Sequence, residues 1–226
     1  MFSLNKMLVA GLLMAAGIST ACAGVIIGGT RVIYNGNSRE ASISVNNPDS
    51  IPYLVQSWFE PLSGGAEKPP FVITPPLYRL DKEQQNVMRI ISTAPLPENR
   101  ESMYWLNIKA IPSAARRDNT LQVAVKTRIK LIYRPASLKN SDLEQLADKL
   151  TWQRSGQDIQ VTNPGANYIN FNEIAVAGHP VKDVTWVAPG ATARFALPPG
   201  ASGSDVAFKI INDYGGTGAA HHAVLK

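Results

Sequence analysis

The chain has 226 residues, with 22 Lys and Arg against 17 Asp and Glu, 45% hydrophobic residues and one cysteine. This is a globular composition rather than a disordered one, and the length admits two small domains or one large one. One cysteine excludes an internal disulfide, and no long basic cluster interleaved with aromatics argues for nucleic acid.

Residues 1–23 read as a secretory signal peptide. Lys6 precedes an apolar run from Met7 to Ile18, and Ala21 and Ala23 stand at cleavage spacing. The run is shorter than the roughly 20 apolar residues of a spanning helix. No later stretch is apolar for long enough, so no membrane span is expected in the mature chain. A lipid-anchored Cys22 is the rival reading, but Ser19 stands where such signals usually carry Leu.

From Gly24 onward, short alternating runs are broken by Gly, Pro and Asn. Val25–Tyr34, Ala41–Val45, Tyr53–Phe59, Phe71–Thr74, Asn86–Ile91, Tyr104–Ile111 and Leu121–Tyr133 read as strands. Seven strands separated by polar turns suit one immunoglobulin-like sandwich. After Tyr133-Arg134-Pro135 the texture changes. A Ser141 or Asp142 cap precedes Leu143, Leu146 and Leu150, which predicts a helical turn or two. Strands resume at Leu150–Arg154, Ile159–Thr162, Tyr168–Ala175, Ala191–Ala196 and Val206–Asn212. The expected organisation is therefore all-β, with domains at 24–139 and 140–226.

No constellation for catalysis stands out. His179, His221 and His222 read as solvated loop or tail residues, and no metal-ligand spacing surrounds them. A G-x-S-x-G element is absent, and Gly28-Gly29 lacks the dinucleotide pattern. No cofactor and no enzyme activity are expected. Lys126, Arg128, Lys130 and Arg134 share one predicted strand, a basic row that asks for an acidic group on whatever binds there. Before them, Leu121, Val123 and Val125 project from one face. Two readings stay open: a strand packed on its own core, or an exposed edge that receives a partner.

The segment Leu96 to Pro112, reading LPENRESMYWLNIKAIP, closely resembles the signature of PapD-like periplasmic pilus chaperones. Further matches are Gly29–Tyr34, Tyr53–Trp58, Thr74–Leu77, Arg128–Pro135, Asn163-Pro164 and Ile211–Gly215. The resemblance implies two immunoglobulin-like sandwiches set as a boomerang, in a periplasmic chaperone that serves pilin subunits and the tip adhesin. Such a chaperone lends a strand to an unfinished subunit and delivers it to the outer-membrane usher. Strand lending is a known mode of recognition for this family.

Carried over residue by residue, the resemblance makes Leu121, Val123 and Val125 the donor side chains, and Arg31 and Lys130 the anchor for the client's C-terminal carboxylate. Strict alternation puts Lys130 on the opposite face from the donor residues. Glu101, Arg134 and Asp213 correspond to a charge network between the domains, and Leu54 and Gln56 to an usher-facing side. The stretch Ser113–Thr120 resembles the short-loop subclass, and a self-capping homodimer is a further expectation. The alternative, a pilus subunit or adhesion module, usually carries an N-terminal donor segment and a disulfide, and neither appears.

Overall fold

The computed structural model describes residues 24–113 and 121–226. The signal peptide expected at 1–23, with Cys22, lies outside the described residues, as does residue range 114–120 of the expected short loop. Two sandwiches follow one another along the chain, each around its own core.

In the first sandwich, one sheet holds β1 (Ile26–Ile27), β3 (Ala41–Asn46), β5 (Phe71–Thr74) and β7 (Gln85–Ser92), in the order β1-β3-β7-β5. The other holds β2 (Arg31–Asn35), β4 (Tyr53–Pro61), β6 (Leu77–Leu80), β8 (Ser102–Pro112) and β9 (Val125–Arg134), in the order β2-β9-β8-β4-β6. Alternation produces the packing. In β4, Tyr53 and Val55 are buried while Leu54 and Gln56 are exposed. Val45, Val55, Met88, Ile90, Leu106 and Leu131 retain no exposed surface.

The expected strand Val25–Tyr34 is two strands in different sheets. The crossing lies at Gly28, whose N–H donates to the Ser44 carbonyl at 2.9 Å. A Cβ at that position would stand 2.1 Å from Ser44 Oγ, so a side chain there would require the Ser44 hydroxyl to turn away. The switch lets β2 pair in parallel with β9, with Arg31 level with Lys130. The expected strand Leu121–Tyr133 instead runs from Val125 to Arg134, so Leu121 and Val123 stand outside any strand. Its partner β8 ends at Pro112, which has no N–H to extend a ladder. Because β2 flanks β9 only from Lys130 to Arg134, the edge Val125–Ile129 carries no strand on that side among the described residues.

A turn at Ala136–Leu138 leads to helix α1 (Leu143–Ala147), where Asp142 Oδ1 accepts from the N–H of Glu144 at 3.0 Å. In the second sandwich β10 (Thr151–Ser155), β11 (Asp158–Thr162) and β15 (Thr192–Ala196) form one sheet. The facing sheet contains β12 (Ile169–Val176), β13 (His179–Pro180), β16 (Asp205–Ile211) and β17 (Thr217–Val224), with β14 (Trp186–Val187) also on β12. Trp152, Phe171, Phe195 and Phe208 pack ring against ring at its centre.

Strands β6, β13, β14 and β17 were not expected from the sequence. Strand β17 replaces an unpatterned tail, because β16 supplies a ladder to a segment of low intrinsic strand preference. It also corrects the reading of His221 as solvated: that ring is 7% exposed and stacks on Phe208 at 5.1 Å. Its Nδ1 lies 2.7 Å from Asp148 Oδ1 and its Nε2 2.7 Å from Glu144 Oε2, both on or beside α1. His179 and His222 are exposed.

Candidate partner-binding cleft

Three features converge on β9. Its odd residues Ile129 and Leu131 enter the first core, and its even residues Lys126, Arg128, Lys130 and Arg134 point to the opposite face. Val125 is on the core side, level with the buried Ala110 and Val55, but it stands at the edge that β2 leaves uncovered and is exposed, as are Val123 and Leu121 before it. Alternation continues along β9 while β2 leaves its first half unflanked. That accounts for donor candidates and an anchor candidate lying on opposite faces of one segment.

Lys130 reaches the second sandwich, where its Nζ donates to Asn170 Oδ1 at 2.6 Å and sits 4.7 Å from the centre of the Trp186 ring. Arg31, alongside it, donates from Nη1 to the Ile211 carbonyl at 3.4 Å, a long contact, and its Nε is buried without a hydrogen-bond partner among the described residues. Burial pushes the Lys130 ammonium down to about 8, and the Arg31 charge adds to this. Burial also lowers Arg31, with Asp213 acting in the other sense. Two cations thus share one wall of the cleft, and neither forms an ion pair among the described residues. A carboxylate placed between them would relieve both the mutual repulsion and the orphaned donor.

Further along β9, Arg134 joins the domains. Its Nε donates to Glu101 Oε1 at 2.6 Å, and its Nη1 and Nη2 donate to the two oxygens of Asp213 at 2.5 and 2.8 Å. Glu101 also accepts from Asn167 Nδ2 at 3.0 Å and from the N–H of Tyr168 at 2.7 Å. Two asparagines hold the loops that make this possible. Asn163 Nδ2 donates to the Asn167 carbonyl at 2.7 Å, and Asn212 Oδ1 accepts from the N–H groups of Tyr214 and Gly216. Burial works against the charged guanidinium, yet the hydrogen bonds it donates to Asp213 and Glu101, with their charges, outweigh it, and the Arg134 pKa is raised. Between Lys130 and Arg134, Ile132 pairs with Met103 across the strands, and both are buried although neither belongs to a core.

The sequence reading named Arg31, Lys130, Glu101, Arg134 and Asp213, and the fold brings them into one interdomain wall. It missed Asn170, Trp186, Asn167 and Tyr168, which the second sandwich contributes. Trp105 of the signature segment was a visible signal, since its ring meets Trp186 at 5.8 Å. Leu54 and Gln56 sit on the outer face of β4, away from the anchor end.

A family profile described as "Pili and flagellar-assembly chaperone, PapD N-terminal domain" matches residues 24–139. A second, "Pili assembly chaperone PapD, C-terminal domain", matches residues 145–222. The chain is 41% identical over 203 residues to the probable fimbrial chaperone LpfB of Escherichia coli O157:H7, covering 87% of each chain. It superposes on the E. coli chaperone DraB with a TM-score of 0.81 at 37% identity, covering 90% of this chain and 97% of that one. A structure of Salmonella enterica SafA pilin with the SafB chaperone matches with a TM-score of 0.83 at 34% identity, covering 92% of this chain and 99% of that one. With both profiles matched in order on a two-sandwich fold, the chain belongs to the PapD family of pilus-assembly chaperones of the chaperone–usher pathway.

Proposed function

We propose that this chaperone works in the periplasm by completing pilus subunits, the tip adhesin included, with its Leu121–Ile129 segment, and then passes them to the outer-membrane usher. The observation that carries this reading is an unflanked strand edge that ends at two neighbouring cations, neither in an ion pair among the described residues. A client strand added beside β9 along Val125–Ile129 would lie in line with β2 and stop at Arg31. Run parallel to β9, it arrives with its C-terminal carboxylate at Arg31 and Lys130. Run antiparallel, it would bring an ammonium or a mid-chain peptide there. Charge therefore selects the parallel arrangement.

Leu121, Val123 and Val125 are 87%, 61% and 51% exposed, an aggregation hazard unless a partner covers them. Burying an aliphatic side chain is worth about 1.5–3 kcal/mol, so the three supply affinity, offset by ordering costs. The anchor supplies register, since a slip of one residue turns the client's apolar face away. In the absence of client, a second copy offering the same edge would cap it. Similarity to SafB, solved with a pilin, supports the reading, as does the signal-like segment 1–23. Leu54 and Gln56, exposed on the outer face of β4, are the proposed usher contacts.

Two substitution sets test the proposal with a co-expressed pilus subunit. Arg31→Ala and Lys130→Ala should fold normally but lose about tenfold or more in complex yield, the worth of a charge-assisted hydrogen bond. Val123→Thr should leave the free protein's melting temperature unchanged while weakening the complex. Were Val123→Thr to melt much lower yet bind the subunit normally, the residue would be core and strand donation would fail.

A further inference from the structure

Beside the anchor, the outer face of the five-stranded sheet is ordered into rows. Glu60, Trp105, Lys130 and Arg31 lie level across β4, β8, β9 and β2. Trp58, Asn107 and Arg128 form the next row, and Gln56, Lys109 and Lys126 the one after. Within these rows five cations face one carboxylate, Glu60. That carboxylate is already engaged: it accepts from Trp58 Nε1 at 2.8 Å and from Arg128 Nη2 at 2.5 Å, with Lys126 Nζ at 4.0 Å. The Trp58 hydrogen bond first, then the Lys126 and Arg128 charges, hold it below the usual range against a desolvation that acts the other way.

The remaining positive charge is set in place rather than scattered. Lys126 lies over the Trp58 ring and Arg128 over the Trp105 ring, each 5.3 Å from the centroid. Asn107 Oδ1 accepts from Arg128 Nε at 3.2 Å, which fixes the guanidinium further. Lys109 stands directly opposite Lys126 and forms no ion pair among the described residues, a like-charge juxtaposition that costs stability in the free protein. The side chains of Lys126 and Arg128 remain 42% and 44% exposed.

We infer that these cations, Lys126 and Arg128 along β9 with Lys109 level with Lys126 on β8, recognise acidic side chains on the last strand of the client. The inference rests on the strand-addition reading above. A strand added at the Val125–Ile129 edge sends alternate side chains to opposite faces. One set joins Leu121, Val123 and Val125 on the donor face and is apolar. The other set lies beside Lys126 and Arg128, on the anchor's face. Acidic residues there would also be drawn in by the field of these cations during encounter, and basic residues repelled.

Synthetic peptides ending in a free carboxylate provide the test, with Val at alternating positions and Glu, Gln or Lys between them near the C-terminus. A Glu peptide ending in an amide is the control. Dissociation constants for the full chain are measured at low and at physiological salt. The expected result is that the free-acid Glu peptide binds about three- to tenfold tighter than Gln, with Lys weaker still, and that the gap narrows with salt. In Lys109→Gln, on β8 and outside the donor segment, the preference for Glu should shrink while the Gln peptide binds as before. Equal binding of Glu and Lys peptides, with the amide control still lost, would overturn this inference and leave the anchor reading standing. Undiminished binding of the amide would overturn both.

Discussion

Desolvation leaves Lys130 with a pKa of about 8, so one side chain couples client binding to pH near neutrality. A carboxylate bound beside it favours the ammonium and raises that value in the complex. Between the free and the bound pKa, binding takes up a proton, and affinity falls as pH rises, by at most about tenfold per pH unit. Titration of a subunit's C-terminal peptide from pH 7 to 9.5 should show flat affinity below about pH 8 and a decline above it. Lys130→Arg removes the titration but not the charge, so its profile should stay flat throughout. A wild-type profile equally flat to pH 9.5 would place the client's carboxylate elsewhere.

At the scale of elements, His221 ties β17 to α1 through Glu144 and Asp148. Burial alone would lower its pKa, but the hydrogen bonds to Asp148 and Glu144 outweigh it, and the value is raised. A raised folded pKa means the stabilisation is fully present below the unfolded value of about 6.5 and fades as pH climbs through the folded one. Glu144 and Asp148 are themselves 39% and 69% exposed, so solvent screening limits the effect to about 1 kcal/mol. Melting curves of wild type and His221→Gln should be furthest apart near pH 6 and approach each other as the solution is made alkaline. A constant gap across that range would mean that ring packing on Phe208, not charge, holds the strand.

At the scale of the whole molecule, Arg134 links the two sandwiches, and its side chain is 5% exposed, against 1% for Glu101 and 31% for Asp213. Removing one member of a buried charge group costs about 3–5 kcal/mol, because the others lose their compensation. Arg134→Ala should therefore melt well below wild type. The two cores are separate, so the lost link should also loosen the angle between sandwiches and raise the radius of gyration in solution scattering. Arg134→Lys, which cannot engage both Asp213 oxygens and Glu101 at once, should fall near the alanine variant rather than near wild type. A melting temperature and scattering profile unchanged in Arg134→Ala would show that the domains are held without this network.

Alternation made most strands legible from sequence alone, together with the break near Pro135 and the sharing of one face by Lys126, Arg128 and Lys130. Roles for Arg31, Glu101 and Asp213 came from motif resemblance, because no local pattern distinguishes a cleft cation from a solvated one. What alternation leaves undecided is what lies opposite each face. Leu121, Val123 and Val125 read identically as core or as open edge, and only the tertiary structure, in which β2 does not flank β9 before Lys130, shows all three exposed. Thr217–Val224, rich in Gly, Ala and His, has little strand preference of its own and becomes β17 because β16 offers it a ladder. Arg31 and Lys130 lie far apart in the chain, and they meet because the chain changes sheets between β1 and β2, which sets β2 beside β9. A sequence determines which side chains share a face, since that follows from backbone geometry one residue at a time. Burial, pairing and charge compensation depend on the neighbour across the gap, and that neighbour is supplied only by the tertiary fold.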